Sequence, residues 1–137
     1  MSTPNLKLAP IEYADASVEV RAVYDDIMAT RKVDWINNYW KVLANHPPSL
    51  RRMWANTKEV MGPGALDPLT KELIYLAVSV TNGCSYCITS HGAAARKKGM
   101  TPEQHAELIA IIGLANETNR HAFSLDLQID AQFLAKS

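Results

Sequence analysis

Residues 71–99, KELIYLAVSVTNGCSYCITSHGAAARKKG, constrain the fold more than any other stretch of the chain. They open as an apolar helical run, break at Asn82-Gly83, and resume as a second run closed by Gly99. Asp67-Pro68, just ahead, is a strong helix start: a capping carboxylate followed by proline at the first helical position. Leu69, Leu73, Leu76, Ala77 and Val80 form one apolar stripe. Ile74 and Val78 lie off that stripe and are also apolar, so this helix is expected to be buried on most sides. Gly83 is free to take the left-handed conformation that ends a helix. The second run is expected to begin at Cys84 or Ser85 and to reach Lys98. Arg96, Lys97 and Lys98 carry the charge that suits the negative end of a helix. Gly92 costs about 1 kcal/mol against alanine in mid-helix; with Ala93, Ala94 and Ala95 it is expected to permit close helix contact.

The flanking sequence is helical too. Residues 1–14 contain Pro4 and Pro10 and no helical period, and are expected to form an extended arm. Asp15 or Ser17 can cap a first helix with Val20, Val23, Tyr24 and Ile27 at helical spacing, ending near Arg31 or Lys32. Asn37 and Asn38 precede a short helix through Tyr39, Trp40, Val42 and Leu43, which stops at His46-Pro47-Pro48. Pro48 or Ser49 starts the next, with Leu50, Met53, Trp54 and Met61 on its buried face, ended by Gly62-Pro63-Gly64. Thr101-Pro102-Glu103-Gln104 is a capping box with proline in place. His105, Leu108, Ile109 and Ile112 follow on one face. Gly113 is expected to break or bend this segment, with a last helix over roughly residues 115–133. No strand pattern or repeat is present. The class is all-α, a bundle of about seven helices, some short, in a single domain over residues 1–137.

Lys plus Arg and Asp plus Glu each number 14, giving zero formal net charge. Nucleic acid and anionic membranes reward a basic surplus, so neither is expected as the main partner. No apolar run is long enough to span a bilayer, and the N-terminus lacks the charged start and apolar block of a secretory leader. The expected compartment is therefore the cytoplasm, where thiols are kept reduced and a C-x-x-C points to redox catalysis or metal binding.

The two cysteines, Cys84 and Cys87, form such a C-x-x-C. Placed at the start of a helix, their spacing of three puts both sulfurs on one face, close enough to bridge. His91 lies four beyond Cys87 on that face. Only a few per cent of a free thiol is thiolate near pH 7, and lowering its pKa from about 8.5 to about 7 raises that fraction to roughly half. A helix N-terminus favours the thiolate, and an imidazole can accept the thiol proton. The second cysteine can then capture an oxidised first one as a disulfide. Glu72, read as a first-turn residue of the preceding helix, reaches His91 or Cys87 if the two helices pack antiparallel. Burial there would raise its pKa and let it hold or pass a proton. Tyr86 is read as a packing residue whose hydroxyl could hydrogen-bond in the site. His46, His105 and His121 are read as structural.

Glu72, eleven intervening residues, then Cys84-x-x-Cys87-x-x-x-His91 resembles the signature of the AhpD-like alkylhydroperoxidases, within the carboxymuconolactone decarboxylase superfamily. Gly92-Ala93-Ala94-Ala95, Gly99-Met100-Thr101-Pro102-Glu103 and the Asn119-Arg120 pair fit the same resemblance. It implies an all-α fold, homo-oligomers (dimers, trimers or hexamers) and peroxidase or disulfide-reductase chemistry. Cys87 would be the peroxidatic thiol, Cys84 the resolving one, and Glu72 with His91 the proton relay. No bound cofactor is implied; the partners would be a hydroperoxide and an external dithiol, of which a lipoylated protein is one candidate. Three other readings of the residues stand beside this one. One is a zinc site using Cys84, Cys87, His91 and Glu72. The others are a lyase of the decarboxylase type, whose members generally lack the paired cysteines, and a redox sensor.

Overall fold

A computed structural model of the chain describes residues 7–134. The described residues are helical, without strands. Six α-helices, α1 (Val18–Arg31), α2 (Asn38–Leu43), α3 (Pro47–Met61), α4 (Pro68–Thr81), α5 (Ser85–Lys97) and α6 (Pro102–Ser124), are preceded by one 3-10 turn, Tyr13–Asp15, and followed by another, Ala131–Leu134. The expected count was about seven. Residues 1–6 of the expected N-terminal arm lie outside the described residues; residues 7–12 are irregular and lead into the first 3-10 turn. The chain falls into two compact units that divide between Gly62 and Pro63. Among the described residues no helix is long and apolar enough to cross a membrane.

The first unit holds α1, α2 and α3. Ser17 caps α1, its hydroxyl accepting from the Val20 amide, and Lys32 closes that helix at φ +56°. Val20, Tyr24, Ile27, Trp40, Leu50 and Trp54 form the core. Trp40 and Trp54 meet edge to face with ring centroids 5.5 Å apart, an arrangement the ring quadrupole favours. The Trp54 indole N–H donates to Asp26 Oδ2 at 2.8 Å. Helix α3 starts one residue earlier than expected, at Pro47, and His46 is its cap, with Nδ1 accepting from the Ser49 amide. Two expected core positions on α3 are not core. Met53 is exposed and Met61 half-buried, because burial runs through Leu50 and Trp54, four residues apart.

The second unit holds α4, α5 and α6, and its core is Leu76, Ala95 and Met100, with Leu69, Leu73, Val80, Ile88 and Leu108 packed against it. Asp67 caps α4 by accepting from the Thr70 amide, with Pro68 at the first turn. Helix α4 is less buried than its composition suggests. Ile74 and Val78 are exposed, as is Tyr75, because α5 and α6 cover one stripe of α4 and leave the opposite face open. Thr101 and Gln104 complete the capping box of α6. Gly113 neither breaks nor ends that helix, which runs unbroken for 23 residues; a penalty of about 1 kcal/mol for glycine is small beside so long a hydrogen-bonded run. The helix instead ends at Ser124, with Leu125 as its C-cap and Asp126 at φ +48°. The helix expected over 115–133 therefore stops early. No residue in 125–134 is buried, so no packed apolar face holds those residues helical.

Candidate functional site

Two helix ends of the same kind frame the site. At the end of α4, Gly83 takes φ +69°. Its amide donates to Val80 O at 3.1 Å, and the Cys84 amide donates to Ser79 O at 3.0 Å. This paired pattern is a Schellman closure, which needs a residue tolerant of positive φ. The residue that completes it, Cys84, is also the N-cap of α5, its sulfur accepting from the Cys87 amide at 3.2 Å. The Asn82-Gly83 break therefore turns the chain and delivers the first cysteine to a helix N-terminus. Cys84 and Cys87 are joined as a disulfide, with Cα atoms 5.3 Å apart, inside the range a disulfide accommodates. Both cysteines are half-buried.

The far end of α5 repeats the device. Gly99, at φ +100°, donates to Arg96 O, and the Met100 amide donates to Ala95 O, each at 3.0 Å. Met100 is buried in the core of the unit, so the closure is anchored, and Lys98 is fixed as the C-cap residue. Ala95, fully buried, lets α5 pack closely. Gly92 does not serve that end as expected, since a methyl group there would meet only the Arg96 guanidinium, at 3.6 Å.

Between these ends α5 faces Glu72. This glutamate is the fifth residue of α4, beyond the first turn in which it was expected, and is only 4% exposed. Its Oε2 lies 2.7 Å from His91 Nδ1, and its Oε1 accepts from Lys98 Nζ. Burial pushes the Glu72 carboxyl up, but the hydrogen bonds from His91 and Lys98 and their charges outweigh it, leaving the group below the usual glutamate value. The expectation of a raised pKa is thus corrected: Glu72 is ionised at neutral pH. An ionised carboxylate only accepts, so the proton of the His91–Glu72 bond sits on Nδ1; the lone pair of the neutral ring is then on Nε2. The Tyr75 ring stacks on the imidazole, centroids 3.6 Å apart and planes 19° from parallel.

The structure therefore joins the four sequence-derived residues as two direct pairs: Cys84 with Cys87, and Glu72 with His91. Cys87 stands one helical turn before His91 on α5. Two further residues belong to the group. Lys98 lies seven after His91, two helical turns along the same face, and that spacing was readable in the sequence. Tyr75 lies three after Glu72 on α4. Among the described residues no three His, Cys, Asp or Glu side chains are grouped as metal ligands. The zinc arrangement would need the sulfurs parted and Glu72 released from His91 and Lys98.

A family model described as the carboxymuconolactone decarboxylase family matches residues 47–127, more than half of the chain. The chain belongs to this family. Its AhpD-like branch is shown by a solved structure, the alkylhydroperoxidase AhpD core from Rhodospirillum rubrum. That structure superposes with a TM-score of 0.91 at 53% identity, covering 96% of this chain and 99% of that one. Among curated proteins, the chain is 46% identical over 55 residues to protein 4 of the cox locus of Paracoccus denitrificans, covering 40% of this chain and 50% of that protein. It is 36% identical over 72 residues to the alkyl hydroperoxide reductase AhpD of Solibacter usitatus, covering 53% of this chain and 39% of that protein. The chain thus spans half or less of the length of these two relatives. The family, the all-α architecture and the segment holding Glu72, Cys84, Cys87 and His91 agree with one another.

Proposed function

We propose that this AhpD-like protein is a thiol-dependent peroxidase and disulfide reductase. The observation that carries the reading is a cysteine pair able to close at the start of α5, on the same helix as an imidazole held by a buried carboxylate. In the reduced protein, His91 takes the Cys87 thiol proton at Nε2. The Cys87 thiolate attacks the terminal oxygen of a hydroperoxide ROOH. An S–O bond forms, the O–O bond breaks, and the departing alkoxide takes the proton from His91 to leave as ROH. Cys87 is now a sulfenic acid. The Cys84 thiolate attacks its sulfur, forming the disulfide and releasing hydroxide, which is protonated to water. An external dithiol then reduces the disulfide by exchange, becoming a disulfide itself. Cys84 fits the resolving role because it caps the helix, where the amide of Cys87 and the helix dipole favour the thiolate that attacks.

The reductant in this reading is a dithiol, a lipoylated protein among the candidates, and no bound cofactor is required. Self-association belongs to the same reading and is supported by exposed apolar side chains on α4 (Ile74, Val78) and α6 (Ile111, Leu114, Phe123). The name carried by the Solibacter relative and by the Rhodospirillum structure also supports peroxide chemistry. The test is turnover of an alkyl hydroperoxide with a panel of dithiol donors, one of them lipoylated. Turnover that Cys87→Ser abolishes is expected. Full turnover in Cys87→Ser, or none in the parent with any donor, contradicts the reading.

A further inference from the structure

Lys98 stands at the point of α5 where a basic residue would suit the helix dipole, but its ammonium is directed elsewhere. It meets Oε1 of Glu72, the oxygen that His91 does not use. Arg96 and Lys97 already occupy the last turn of the helix, so the dipole has its basic residues without it. The Lys98 side chain is 37% exposed, against 5% for that of Glu72. Lysine therefore keeps partial contact with water, while the carboxylate has almost none. Among the described residues each carboxylate oxygen has one partner, Lys98 on one side and His91 on the other.

A buried carboxylate that loses one of two such partners is exposed to the full cost of desolvation, and it responds by taking up a proton from solvent or by holding the neighbouring imidazole doubly protonated. A protonated Glu72 offers an O–H in place of a lone pair, which invites the His91 proton to move to Nε2. Drawing a proton onto the pair instead leaves an imidazolium. Either way the ring loses the free lone pair that accepts a thiol proton. The Gly99–Met100 closure sets where Lys98 sits, so the backbone itself enforces the contact.

We propose that Lys98 is a positioning residue that keeps Glu72 an acceptor-only carboxylate and thereby holds His91 as its Nδ1–H tautomer, leaving Nε2 free to take the Cys87 proton. This rests on the peroxidase reading for its purpose but not for its test. The full chain is prepared reduced, with ring nitrogens labelled, as parent, Lys98→Met, Lys98→Gln and Lys98→Arg. The tautomer of His91 is read by nitrogen–proton correlation at neutral pH, and the rate of Cys87 alkylation beside it. The parent and Lys98→Arg are expected to show the Nδ1–H ring. Lys98→Met and Lys98→Gln are expected to show a proton on Nε2 instead, as the other tautomer or the doubly protonated ring, with alkylation slowed about tenfold or more and recovered in Lys98→Arg. Unchanged ring signals and alkylation in both neutral variants would overturn the proposal. So would a fall in melting temperature with the tautomer unmoved, which marks a purely structural ion pair. A tautomer change in the neutral variants of a protein without peroxide turnover would uphold the positioning role and remove the peroxidase reading instead.

Discussion

Replacing Glu72 by glutamine keeps the shape of the side chain and takes away one acceptor oxygen. Two donors then compete for the oxygen that is left, Lys98 Nζ and His91 Nδ1–H, both of which Glu72 satisfies in the parent. An ammonium can only donate, whereas an imidazole nitrogen can exchange donor for acceptor by shifting its proton. Lys98 therefore takes the amide oxygen, and the amide NH2 turns toward Nδ1, which must accept. The ring proton moves to Nε2, and the base that serves Cys87 is lost. A positioned general base contributes about 10²- to 10⁴-fold, which corresponds to about 3–5 kcal/mol of barrier. The assay mixes reduced protein with excess alkyl hydroperoxide, quenches with an alkylating reagent and counts remaining thiols by mass. Glu72→Gln is expected to lower the rate constant by that factor. Adding Lys98→Met frees the amide to turn its oxygen to His91, so the double variant is expected to recover part of the rate. A Glu72→Gln rate equal to the parent's, or a double variant no faster than Glu72→Gln, would show that the carboxylate does not set the His91 tautomer.

Three further outcomes follow from the same geometry. Burial opposes the charge on Glu72, but His91 and Lys98 hold its folded pKa below the usual value. Its contribution to stability is therefore present above the unfolded value, about 4.3, and is lost as pH falls through the lower folded one. Acid titration followed by circular dichroism should find this loss beginning at higher pH in Lys98→Met than in the parent. Thr101→Ala removes the hydroxyl half of the α6 capping box and should cost about 1 kcal/mol in denaturant unfolding, while Cys87 alkylation stays unchanged. Tyr75→Ala removes the ring stacked on His91 and should slow peroxide reduction, whereas Tyr75→Phe keeps the stack and the rate; equal rates in the two variants would deny the stack a part.

Most of the helix boundaries were legible because they are written in local chemistry. Asp67-Pro68, Thr101-Pro102, Gly83 and Gly99 act within a few residues of themselves, and all four act as read. What depends on neighbours distant in sequence was not legible. Helix α4 is apolar on several faces, yet Ile74 and Val78 are exposed, since composition does not say which faces a small three-helix unit can cover. The propensity of Gly113 alone argues for a break, but the hydrogen-bonded helix on either side carries α6 through it. At the site, the Glu72–His91 contact was legible from spacing and an assumed antiparallel pair. The direction of the Glu72 shift was not. Burial argues for a raised value, and His91 and Lys98 together reverse it, whereas the sequence alone marks Lys98 only as a helix-end charge. Its place seven residues after His91 was the overlooked clue.

One peroxide molecule is expected to convert the reduced cysteine pair into the bond seen between Cys84 and Cys87. Fully reduced protein is treated with a single equivalent of alkyl hydroperoxide, and both the intact mass and the alcohol released are measured. The expected result is a loss of two hydrogens per chain, a peptide linking Cys84 to Cys87, and matching alcohol. In Cys84→Ser a sulfenic acid on Cys87 is expected. Two free thiols beside unreacted peroxide, or sulfenic acid formed on Cys84 with Cys87 untouched, would contradict the peroxidase reading.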